Sequence, residues 1–262
     1  MLVITGMHRS GTSFVANMVQ KIGAPFGPDD LLGGDQWNPR GYFENIDVID
    51  LNNRLIVGES AGLKGLVDGG RLGFGQRLKR TLGKARYALF PGGGDMAAKG
   101  AAHADEMDGL ARRLAGCAVK DVRFSLTLPA WQGRGAVERI LYCYRHPTEV
   151  AGSLAKRDRL PLWLSYRLWR IHVERFLDAV GETPVVCVDY NNFFDDTRRI
   201  DETLRLFRFA GQEASREKAE ALLAQVIDPS LRHNRADGAL PGATRACYHR
   251  LEEFHERHDG RP

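Results

Sequence analysis

From Gly6 to Ser13 the chain reads Gly-Met-His-Arg-Ser-Gly-Thr-Ser. This is the spacing of a phosphate-binding loop of the G-x-x-x-x-G-K-[ST] kind, with Thr12 standing where the lysine would be and Arg9 three residues earlier. If a strand precedes such a loop and a helix follows it, the loop offers backbone N–H groups and a positive helix end to an anion. Ser10, Thr12 and Ser13 add hydroxyl donors, and Arg9 adds the forked donor set of a guanidinium. His8, inside the loop, is expected to pack or orient rather than to react. Without the lysine, and without an evident acidic strand to hold magnesium, an ATP–magnesium site is poorly supported. The bland alternative is an ordinary Gly/Ser turn. Two further polar turns carry Lys120-Asp121-Val122-Arg123 and Arg145-His146-Pro147, with Ser153 about two helical turns beyond Arg145.

These groups need elements to hold them. Leu2-Val-Ile-Thr5 reads as a buried strand, and Thr12 to Ile22 as a helix with Phe14, Val15, Met18, Val19 and Ile22 on one face, closed by Gly23. Further strands are expected at Cys117 to Val119, running into Lys120, at Arg139 to Tyr144 and at Val185 to Val188. Helices are expected at Glu44 to Val57, Ala104 to Ala115, Pro147 onward, Pro161 to Val180, Thr197 to Phe209 and Glu213 to Val226. Pro147 suits a first helical position, where its missing N–H costs nothing. Leu162, Trp169, Val173, Phe176, Leu177 and Val180 are expected to face inward. Strands alternating with helices imply an α/β fold, P-loop-like, a three-layer α/β/α arrangement with a mostly parallel central sheet. Ligands of such sheets sit beyond the carboxyl ends of the strands, where the three polar turns fall. One domain over residues 1–262 is expected, with a variable Gly-rich, basic insertion or lid at about 58–100.

Composition narrows the class. The chain has 262 residues, 43% hydrophobic and 27% charged, as in ordinary globular proteins. A net charge of +4 and a pI of about 8.9 suit an anionic ligand but are too weak to argue for nucleic acid. The four cysteines (117, 143, 187 and 247) form no C-x-x-C pair, so neither a zinc site nor a disulfide scaffold is expected, and Cys143 and Cys187 read as buried thiols. No apolar run is long enough to span a membrane, no secretory signal is visible, and a cytoplasmic location is the expectation.

The stretch GMHRSGTSFVANMV resembles the 5′-phosphosulfate loop of sulfotransferases that use 3′-phosphoadenosine 5′-phosphosulfate (PAPS). YRHPTEVAGSLAKRD resembles the segment of that family that holds the 3′-phosphate, and NPRGYFEN and VKDVRFSLTLPAW resemble blocks of its bacterial members, all in the family's order. VVCVDYNNFFDD is similar to a later part of the fold. The resemblance implies transfer of a sulfuryl group from PAPS to a hydroxyl of a small-molecule or carbohydrate acceptor, without a metal. It places the 5′-phosphosulfate on His8, Arg9, Ser10, Gly11, Thr12 and Ser13, and the 3′-phosphate on Arg145 and Ser153. Arg232, in a late basic segment, is a further expected nucleotide contact. Arg9, with help from Lys120, is implied as the donor to the bridging oxygen. Glu44 is the first choice for the base that removes the acceptor's proton, with Asp121 and His8 behind it. The bland account of Glu44 is an acid in a helix's first turn. One departure is Val122, where the bacterial block carries proline.

A P-loop kinase-like phosphotransferase and a non-catalytic nucleotide-binding module are the rival readings. The acceptor's identity and the oligomeric state are not legible.

Overall fold

The computed structural model describes residues 1–27, 31, 41–59, 85–89, 91, 94–227 and 239–258. Four strands form one parallel sheet: β1 (Leu2–Thr5), β2 (Ala118–Lys120), β3 (Arg139–Tyr144) and β4 (Val185–Asp189), in the order β2-β1-β3-β4. The register pairs Ile4 with Lys120, Thr5 with Tyr142 and Tyr144 with Asp189. All four carboxyl ends therefore open on the same edge.

Side chains alternate between the two faces with the period of a strand. Leu2, Ile4, Leu141, Cys143, Val186 and Val188 join one buried cluster, while Val3, Val119, Ile140, Tyr142, Val185 and Cys187 join the other. The first cluster is closed by helix α1 (Thr12–Lys21), through Val15, Met18 and Val19. It is completed by residues of two later helices, 199–209 and 216–226. The second is closed by α2 (Ile46–Val57), with α3 (Met96–Ala102) and α4 (Ala104–Arg113) beside it. Next in chain order come α5 (Phe124–Gln132), α6 (Pro147–Asp158) and α7 (Leu162–Ala179), all packed on this second face. After β4 a short 3₁₀ turn (Tyr190–Phe194) leads to α8 (Arg199–Phe209) and α9 (Arg216–Val226), and α10 (Gly242–Arg257) returns to the second face. Tyr142 and Phe176 stack at 3.7 Å between ring centroids at its centre. The architecture is the expected three-layer α/β/α with a wholly parallel sheet.

Several expectations are corrected. The helix read from Glu44 starts at Ile46, because Asn45 caps it by accepting from the amides of Asp47 (3.1 Å) and Val48 (3.2 Å). Glu44 thus lies before the cap, not in the first turn. Leu162, expected inward, is exposed together with Trp163 at the start of α7. Helices α5 and α10 were not foreseen at all. Most of the expected insertion at 58–100 lies outside the described residues, but a helical turn at 85–89 and most of α3 fall within it.

Candidate functional site at the carboxyl edge of the sheet

The loop after β1 is shaped by close approach. A side chain at Gly6 would put its Cβ 2.0 Å from the Cys143 carbonyl oxygen of β3, so only glycine fits. At Gly11, with φ of 89°, a Cβ would sit 2.1 Å from the Tyr190 ring, and the backbone conformation itself disfavours any other residue. Gly11 is the N-cap of α1 and offers no side chain to the helix's first N–H groups, and the first turn holds no acid. Ser10 is fully buried, and its hydroxyl has no hydrogen-bond partner among the described residues. An uncapped helix start and an orphaned buried hydroxyl beside it form a cradle suited to an anion.

Arg9 has φ of 69°, and its Nε donates to Ser153 Oγ on α6 at 2.9 Å. Burial lowers the pKa of its guanidinium from the ordinary value. Arg157 and Arg145 push it the same way, while Tyr42 and Asp158 oppose them. The loop and α6 therefore hold like charges close together around a bond to a neutral hydroxyl. Arg145, at the end of β3, is buried over the Tyr190 ring (4.9 Å), and its Nε donates to Glu149 Oε2 at 2.5 Å. Glu149 Oε2 also accepts from Asn191 at 3.1 Å. Ser153 is thus joined to Arg9, and Arg145 to Glu149; no bond between Arg145 and Ser153 forms.

At the end of β2, Lys120 is buried rather than a surface lysine, and its Nζ donates to Glu44 Oε1. The other Glu44 oxygen lies 3.9 Å from Arg123. Asp121 is fully buried and spent: it accepts from Asn52 (2.8 Å), from the Arg123 amide (3.0 Å) and from the Arg123 guanidinium (2.8 Å). Arg123 also donates to Asn53 at 2.7 Å. Burial works against the Arg123 charge, yet Asp121 and Glu44 outweigh it and raise the pKa. Asn52 in turn accepts from Thr127 and Trp131, each at 2.9 Å. The turn around Val122 is thus held by side chains.

The structure thus brings His8, Arg9, Ser10, Gly11, Thr12, Ser13, Lys120, Arg145, Ser153 and Glu44 to one sheet edge, distributed over the ends of β1, β2 and β3, α6 and the segment that leads into α2. Arg232 lies outside the described residues, as do residues 38–40 of the block NPRGYFEN. Sequence reasoning missed Tyr190, which the strand-end rule could have found just beyond β4. It also missed Arg157, Arg123 and a buried chain of polar groups behind His8. Among the described residues no three His, Cys, Asp or Glu side chains cluster so as to hold a metal ion. None of the helices among those residues is long and apolar enough to cross a membrane.

No protein-family model matches the chain, and no curated protein matches it. Among solved structures, the crystal structure of sulfotransferase STF9 from Mycobacterium avium is similar with a TM-score of 0.47 at 16% identity, over 99% of this chain and 77% of that one. A likeness of that size concerns the path of the chain at most, and the chemistry has to come from this chain's own residues.

Proposed function

We propose that the protein is a sulfotransferase that uses PAPS as donor and a hydroxyl compound, a small molecule or carbohydrate, as acceptor. The observation that carries this reading is the Gly6–Ser13 cradle: an uncapped helix start, an unpartnered buried Ser10 hydroxyl, and Arg9 kept among other cations. Such a site is incomplete without a multiply charged anion. The 5′-phosphosulfate would lie on the loop amides, Ser10, Thr12, Ser13 and Arg9. A second phosphate, on the ribose, would be met by Arg145 with Ser153, and both anionic ends then fall at one sheet edge.

Sulfuryl transfer passes through a loose in-line transition state, by analogy with phosphoryl transfer, and charge grows on the oxygen that leaves. Arg9 and Lys120 are the cations offered to that oxygen. Glu44 pairs with the buried Lys120, which makes Glu44 first of all a positioning residue. An ATP–magnesium reading has less support, because Asp121, the acid it would call on, is consumed by Asn52 and Arg123.

Thermal denaturation with ligands tests this reading. The transferase reading expects 3′,5′-adenosine bisphosphate to raise the melting temperature without magnesium, and ATP with magnesium to do less. Stabilisation by ATP with magnesium alone would favour a kinase-like protein, and binding of the bisphosphate with no turnover of PAPS a nucleotide-binding module.

A further inference from the structure

Behind the loop runs a chain of polar groups that the transfer chemistry above leaves unused. His8 Nε2 lies 3.3 Å from the Tyr87 hydroxyl, Tyr87 Oη lies 2.7 Å from His172 Nε2, and His172 Nδ1 lies 2.5 Å from Ser125 Oγ. Ser125 Oγ is 2.8 Å from the Val122 carbonyl oxygen. The four side chains come from the phosphate loop, the helical turn at 85–89, α7 and α5, so local geometry alone did not place them together. Ser125 and His172 are fully buried.

The carbonyl at the far end sets the direction of every bond. A carbonyl only accepts, so the Ser125 proton points at Val122, and Ser125 Oγ must accept from His172 Nδ1–H. His172 then has its lone pair on Nε2 and accepts from the Tyr87 hydroxyl. Tyr87 Oη accepts in turn from His8 Nε2–H. One position remains: His8 Nδ1 carries a lone pair and has no partner among the described residues. Burial, then Arg123, His172, Arg157 and Lys120, hold the His8 pKa well below 6.5, and burial, then Arg123, pushes that of His172 down to about 3. Both rings are therefore neutral at neutral pH.

We infer that His8 Nδ1 is the base that takes the proton of the acceptor hydroxyl, and that Tyr87, His172 and Ser125 are positioning residues that fix its tautomer. This rests on the sulfotransferase reading and names the group that reading lacks. His8 is next to Arg9 in the loop, half-buried at the sheet edge where the transferred group would sit. As the acceptor oxygen bonds to sulfur, the bond from sulfur to the bridging oxygen breaks and its electron pair leaves with the 5′-phosphate. The acceptor's proton passes to His8 Nδ1, while Nε2–H stays on Tyr87, and the imidazolium later gives the proton to water. The products are a sulfate ester and 3′,5′-adenosine bisphosphate. A neutral base suits an anionic donor, because a carboxylate in the same place would repel the sulfate. Glu44, the residue first expected in this role, already has one oxygen occupied by Lys120.

Two measurements on the full chain test the inference. Long-range proton–nitrogen correlation spectra of the imidazoles, assigned with His8→Gln and His172→Gln, should show His8 protonated on Nε2 and His172 protonated on Nδ1 at neutral pH. This readout needs no turnover. The opposite tautomer at either ring, or a charged His8, would overturn the relay. Release of 3′,5′-adenosine bisphosphate from PAPS is then followed with 4-nitrophenol and N-acetylglucosamine as hydroxyl probes. His8→Gln should lower kcat by ~100-fold or more, a far larger factor than any change in the affinity for 3′,5′-adenosine bisphosphate. Tyr87→Phe should lower kcat with KM for PAPS unchanged, and should let His8 sample both tautomers. A normal rate in His8→Gln beside a large loss in Glu44→Gln would hand the proton to Glu44 and refute the inference. Failure of the wild-type protein to bind the bisphosphate would bring down the donor reading itself, a result recognisable because the tautomers would be unaffected.

Discussion

Arg9 and Arg123 lie at the carboxyl ends of neighbouring strands and are treated in opposite ways. Arg123 donates to Asp121 and Asn53 and lies near Glu44, so its charge is favoured despite burial. Arg9 bonds a serine hydroxyl, sits among Arg157 and Arg145, and has its charged form disfavoured. The β2 turn is complete as it stands, with its cations paired to Glu44 and Asp121. The β1 loop is short of negative charge. A protein keeps such an imbalance where a ligand supplies the missing partner.

The contrast is easiest to break through stability. Asp121→Ala leaves Arg123 and Asn52 without their buried partner and should cost about 3–5 kcal/mol of unfolding free energy; chemical denaturation measures it. A loss under about 1 kcal/mol would mean that the β2 network is not structural. Next in size is acid sensitivity. Below the ordinary histidine pKa of about 6.5 the unfolded chain binds a proton at His172 that the folded chain refuses, so stability falls with pH through that range and the effect vanishes above it. Between neutral pH and about pH 5 the group accounts for ~2 kcal/mol. His172→Gln should flatten the difference between denaturation midpoints at the two pH values, whatever it does to either one. Smallest is Arg9→Ala: without bound anion it should leave stability within about 0.5 kcal/mol of wild type or raise it, since it relieves crowding of like charges. A large destabilisation would place Arg9 on the structural side of the comparison.

The sheet was legible because its strands are short apolar runs bounded by polar turns, and β1 and β3 match the sequence reading residue for residue. Because the carboxyl ends of a parallel sheet share one edge, the convergence of Arg9, Lys120 and Arg145 followed from the elements alone. Pairings within the site did not. Whether Ser153 meets Arg9 or Arg145 depends on how α6 lies against the β1 loop, which no local pattern encodes. Glu44 was read as helical because the run of Ile46, Ile49 and Ile56 in phase does not mark its own start, and only the Asn45 cap shows where the helix begins. Helix α5 was hidden by Pro129 in its interior, where proline ordinarily stops a helix. His172 shares a helical face with Trp169, Val173 and Phe176, so it reads as core. Its partner Tyr87 comes from a stretch with no clear periodicity. The relay is a tertiary feature, built from residues 8, 87, 125 and 172.

The central claim is that the first loop of the chain grips the sulfate-bearing end of an adenylate. The most direct test is a crystal structure with 3′,5′-adenosine bisphosphate bound. The account predicts the 5′-phosphate on the amides of Gly11 to Ser13, with Ser10 Oγ and Arg9 in hydrogen-bond contact and the 3′-phosphate beside Arg145. A nucleotide bound elsewhere, with Gly6 to Ser13 making no contact to it, would contradict the account.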